Sequence, residues 1–169
     1  MADGYGGVLG AFPYALRTSD SWLFRSYALV SALVGALVAL LFAAGVVRLI
    51  AATSGVEGGT LTLSRAFFVV VGLLVVLPVV APTLLVARRH RRNAGQDRRY
   101  DAALAVAGYV FILSLYLGLL VASPAAFEAT PDGPAAPLVG ALYVLPRTAG
   151  VVPPLLGAAA IASAHRLLR

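Results

Sequence analysis

Acid–base or metal chemistry in this chain of 169 residues would have to begin at His90 and His165, its two imidazoles. Both sit beside arginines just past a long apolar run, in Arg88-Arg89-His90-Arg91-Arg92 and in His165-Arg166. Neither has a third ligand beside it, and two histidines alone make a poor zinc site. Both therefore read as cationic residues at a membrane interface. The hydroxyls of Ser31, Thr83, Ser114 and Ser163 would need an adjacent base to act as nucleophiles. Residues 26–47, 66–87 and 102–123 contain no Asp, Glu, His, Lys or Arg. An ion-coupled pump or an intramembrane hydrolase needs titratable groups at that depth. There is no cysteine, hence no disulfide or thiolate site, and no glycine pattern of the phosphate-binding kind. The expectation is a protein that is not an enzyme, with no catalytic, cofactor-binding or metal-binding residues.

Passage of a small solute is the other chemistry the residue types allow. Pro78 and Pro82 lie one turn apart in an apolar run and remove two backbone donors, so a bend is expected there. It is either a pore-lining kink or a packing feature whose freed carbonyls are satisfied by neighbours. Tyr109 and Tyr116 are seven apart and share a helix face, with Ser114 between them. Such hydroxyls either bond to a neighbouring helix or line a polar path. Arg147 would stand at the mouth of such a path. Ser31, Gly35, Ala39 and Ala43 recur every fourth residue and form a small-residue stripe suited to close helix packing.

The elements that must carry these residues are apolar. The chain is 60% hydrophobic and 12% charged, with mean hydropathy +0.91, far from soluble globular composition. The expected fold is all-α: a polytopic membrane bundle, one domain over residues 1–169, with four spans near 26–48, 66–87, 102–123 and 148–167. A run of 22 residues makes a helix of about 33 Å, close to the thickness of the hydrocarbon core. Residues 138–146, ahead of Arg147 and crowded by Pro146, read as a re-entrant or interfacial segment. Aromatic residues Phe12, Tyr14, Trp22, Phe24 and Tyr27 gather before the first span. They suggest headgroup contact and a short interfacial helix over 8–17. Ser19 or Asp20 is the expected N-cap of the helix that follows, and Asn93-Ala94-Gly95 the turn of the basic loop.

Arginine placement sets the orientation. Arg17, Arg25, Arg88, Arg89, Arg91, Arg92, Arg98, Arg99, Arg166 and Arg169 fall on one face, against Arg48, Arg65 and Arg147 on the other. The excess predicts both termini inside. The net charge of +6 is concentrated around Arg88, Arg89, Arg91, Arg92, Arg98 and Arg99, where anionic lipid headgroups or orientation explain it better than nucleic acid does.

Gly10-Ala11-Phe12-Pro13-Tyr14, Ser19-Asp20-Ser21 with Arg25-Ser26-Tyr27, Ser64-Arg65-Ala66-Phe67-Phe68, Ala87-Arg88-Arg89-His90-Arg91-Arg92 and Tyr100-Asp101-Ala102-Ala103-Leu104 are spread over most of the chain. Together they resemble small haloarchaeal integral membrane proteins of unassigned function. The resemblance implies a multi-pass cell-membrane protein and no activity. The expected role is a non-enzymatic partner or scaffold subunit held in the lipid bilayer, bound to another membrane protein or to itself. The alternative is a small-solute channel or permease component.

Overall fold

Inside a bilayer a charge-free run must satisfy its backbone internally, which favours helix. The computed structural model describes residues 7–53, 59–92, 97–128 and 132–168, and these are mostly helical with no strand among them. The expected turn at 93–95, residues 54–58 of the first connection, residues 129–131 and the two chain ends lie outside the described residues. Four helices are long and apolar enough to cross a membrane: Trp22–Ala52, Leu63–Arg91, Arg98–Val121 and Arg147–Leu168. The chain divides into two compact units, Met1–Ala105 and Val106–Arg169.

The first unit holds α1 (Gly7–Thr18), α2 (Trp22–Ala52), α3 (Gly59–Arg91) and the opening turns of α4 (Arg98–Val121). Ala11 and Ala15, one turn apart on α1, are fully buried, and α1 packs on α3 and α2. Ser21 is the N-cap of α2: its hydroxyl accepts from the N–H of Phe24 at 3.3 Å. The cap thus falls one or two residues later than expected, because Ser19 is committed elsewhere. Phe24 and Tyr27 are core residues with no exposure, because they share the inward face of α2 with Ala28, Ser31 and Gly35. Of the aromatic group expected at the headgroups, Trp22 remains fully outward, 78% exposed.

α2 and α3 run antiparallel. Gly35 meets Val80, Gly72 meets Phe42 and Gly45 meets Phe68, and the two phenyl rings lie 5.1 Å apart. A Cβ on Gly45 or Gly72 would stand 2.7 Å from the facing ring, so each glycine is a socket for a phenylalanine. The contact face therefore passes through Ser31, Gly35, Phe42 and Gly45. Ala39 and Ala43 are exposed. A four-residue step overshoots a full turn by about 40°, so a stripe of that spacing rotates off the partner after two steps.

Arg65 reaches back from α3 to the end of α2. Its Nη2 donates to the carbonyl of Thr53, the C-cap residue, at 3.2 Å, and its Nε donates to Thr53 Oγ1 at 3.2 Å. A cation there offsets the negative end of the helix dipole. Arg65→Ala is expected to lower stability by about 1 kcal/mol, with Arg65→Lys intermediate; chemical unfolding in mixed micelles measures it.

The second unit holds the rest of α4, a 3-10 turn at Ala125–Phe127, α5 (Ala136–Tyr143), a 3-10 segment Arg147–Val151 and α6 (Val152–Leu168). Pro153 and Pro154 fall in the first turn of α6, where no intrahelical donor is required. α4 and the segment from Arg147 onward pack antiparallel through glycine. A Cβ on Gly118 would lie 2.5 Å from the carbonyl oxygen of Gly150, and one on Gly150 2.6 Å from that of Gly118. Gly157 backs onto Ser114 and Phe111.

Candidate functional site

The ionisable side chains buried in the first unit, His90 and Asp101, meet Ser19 where the α1–α2 turn, the last turn of α3 and the first turn of α4 come together. Asp97 begins α4, its Oδ1 accepting from the N–H of Arg99 at 2.9 Å. One turn further, Asp101 is in place for the helix dipole, as its position in the sequence suggests, but its side chain turns inward and is 2% exposed. Ser19 Oγ donates to Asp101 Oδ2 at 2.6 Å. His90 Nε2 lies 3.3 Å from Asp101 Oδ1 and 3.2 Å from Oδ2. A carboxylate only accepts, so the imidazole proton belongs on Nε2. His90 Nδ1 is buried without a hydrogen-bond partner among the described residues.

Arginines close the arrangement from outside. Arg25 Nε donates to the carbonyl of Ser19 at 2.8 Å. The Arg89 guanidinium lies 4.2 Å from the centroid of the buried Tyr100 ring and 4.0 Å from Asp97 Oδ2. Arg88, Arg91, Arg92, Arg98 and Arg99 are exposed.

The order of the buried groups decides their chemistry. In a nucleophile relay the imidazole stands between hydroxyl and carboxylate. Here the carboxylate stands between hydroxyl and imidazole, so the Ser19 proton points to Asp101 and away from His90. The arrangement fastens three helix ends together. Among the described residues, no three metal-ligating side chains converge.

Sequence reasoning missed this cluster. It took His90 for an interfacial cation, whereas the structure buries it beside Asp101. The available signal was a histidine in the last turn of one helix and an aspartate in the first turn of the next, across a short connection.

The remaining candidates fall as follows. Pro82 is buried and Pro78 half-buried. Pro82 withholds the N–H due to the carbonyl of residue 78 and crowds the turn carrying the carbonyl of Val79. Tyr27 OH donates to that Val79 oxygen at 2.6 Å, and Ser31 and Thr83 hydroxyls lie 3.2 Å apart beside it. Ser114 donates to the carbonyl of Phe111 at 2.6 Å. Tyr109 is half-buried, Tyr116 is 59% exposed, and Arg147 is exposed. Pro78 and Pro82 belong to the first unit and Tyr116 to the second.

A family model spans residues 1–169 and is described as a domain of unknown function, DUF8056. No curated protein and no solved structure gives a match.

Proposed function

The chain belongs to the DUF8056 family, and from its geometry we propose that it is a non-enzymatic partner or scaffold subunit of a membrane assembly. One observation carries this reading. The buried hydroxyls are already spent: in the first unit Tyr27 on Val79, Ser31 with Thr83 and Ser19 on Asp101 link one element to another, and in the second Ser114 bonds the carbonyl of Phe111 within its own helix. Little polar surface is left inside either unit to line a path or hold a substrate. The long faces of α2 and α3 instead present leucine, valine and phenylalanine outward, as lipid or another apolar helix requires. The sequence resemblance supports a haloarchaeal cell membrane as the setting. Gentle extraction followed by native mass spectrometry tests the role. A second protein at fixed stoichiometry is expected; a bare monomer that binds nothing sinks the reading.

The proposed orientation has both termini inside. It is supported by the clustering of Arg17, Arg25 and the arginines from Arg88 to Arg99 at the end of the first unit where Ser19, His90 and Asp101 meet. A cysteine at position 95 is expected to react with membrane-impermeant maleimide only after the cell is opened. Labelling of intact cells would reverse the topology.

A small-solute channel is the second reading, favoured by Tyr116, a polar ring turned outward from an apolar helix. A path of that kind would form between copies of the chain. Liposome flux that is unaffected by Tyr116→Phe and Arg147→Gln removes it.

A further inference from the structure

The basic end of the first unit has more positive charge than its own carboxylates can answer. Asp97 faces Arg89 and caps α4, while Asp101 is enclosed by Ser19 and His90. Asp101 is spent inside, Asp97 is partly exposed beside Arg89, and Asp20 in the α1–α2 turn is one further acid, against the many arginines of this end. Arg88 and Arg92 stand one turn apart at the end of α3, Arg98 and Arg99 open α4, and Arg25 lies in the first turn of α2. All five are exposed, and none is ion-paired with a carboxylate among the described residues. The Ser19–Asp101–His90 cluster ties these three helix ends together, so the arginines are presented from one fixed end and not from a mobile tail.

We propose that this end is a binding surface for the phosphate of anionic phospholipid headgroups, held chiefly by Arg88, Arg92, Arg98 and Arg99. Arginine presents a planar fork of donors that suits phosphate oxygens in pairs. Trp22 selects lipid over a soluble anion. It is 78% exposed in the first turn of α2, three residues before Arg25, and a tryptophan so placed sits at the level of the headgroups. Arg25 is exposed, with its Nε engaged by the carbonyl of Ser19, so it is left out of the principal set. The inference requires only that the four apolar helices lie in a bilayer, and it holds whether the chain is a scaffold subunit or a channel.

The test uses the full chain in non-ionic detergent micelles, titrated with phosphatidylglycerol or with phosphatidylcholine and read by native mass spectrometry. Phosphatidylglycerol is expected to bind at a defined stoichiometry and more tightly than phosphatidylcholine. Each basic residue near a membrane surface contributes about a fivefold change in binding, so Arg88→Gln with Arg92→Gln should weaken it roughly 25-fold. Arg48→Gln, at the far end of α2, should leave it unchanged. Equal binding of the two lipids, or equal loss in Arg48→Gln, overturns the proposal by reducing the effect to net charge. Displacement of the lipid by millimolar inorganic phosphate overturns it too, assigning the arginines to a free anion. These variants alter exposed residues and leave the buried cluster intact, so retained helical content keeps every outcome readable.

Discussion

Asp101→Ala is expected to lower the stability of the first unit by about 3–5 kcal/mol, the usual cost of removing one partner from a buried polar pair. The carboxylate accepts from Ser19 at 2.6 Å and faces His90 Nε2 at 3.2 Å, and all three residues are almost wholly enclosed. Its loss leaves a hydroxyl and an imidazole N–H buried without an acceptor, and neither reaches water unless the helix ends part. Asp101→Asn keeps one acceptor oxygen and should cost about 1–3 kcal/mol. His90→Ala combined with Asp101→Ala should cost less than the two single changes added, because they remove one shared network. Reversible unfolding in mixed micelles measures all four proteins. If Asp101→Ala unfolds within about 0.5 kcal/mol of the parent, like an ordinary surface change, the cluster does not fasten the helices.

Gly118→Val is expected to separate α4 from α6 at a cost of about 3 kcal/mol or more, beyond ordinary overpacking. A Cβ at 118 would stand 2.5 Å from the carbonyl oxygen of Gly150 and 3.1 Å from two ring carbons of Pro154. Neither obstacle is a flexible side chain that can swing aside. A backbone carbonyl and a proline ring move only if the segment carrying them moves. Gly140→Val supplies the control, because a Cβ there meets nothing within 4 Å. Thermal unfolding with limited proteolysis of α6 distinguishes the two. Gly118→Val should expose α6 to cleavage, and Gly140→Val should leave it protected.

The four apolar helices could be read from the sequence because hydropathy and length act locally. A run such as 66–87 announces a membrane helix whatever its neighbours do. The proline pair was legible only as a choice between pore and packing. The Tyr27 bond lands on the carbonyl of Val79, between the two prolines, and no local pattern links residues 52 apart. The small-residue stripe shows how a repeat can be half informative. Ser31 and Gly35 face α3, but helical drift carries Ala39 and Ala43 outward. The polar cluster was hidden for another reason. Ser19, His90 and Asp101 look like ordinary interfacial residues singly, and only the return of α3 and α4 to the α1–α2 turn makes them one group. The glycine contacts of the second unit were equally silent, since Gly118 and Gly150 acquire meaning only when their backbones touch.

That last contact bears on how the protein is made. Arg147–Leu168 is the shortest and least apolar of the four membrane-length segments, and it begins with an arginine and two prolines within eight residues. As it leaves the ribosome it partitions into lipid less readily than the three before it. Its backbone must be brought against Gly118, which by then has already been inserted with α4. Integration of Arg147–Leu168 is therefore expected to depend on the α4 groove that precedes it. An altered α4 groove should appear first as nascent chains in which Arg147–Leu168 fails to enter the bilayer.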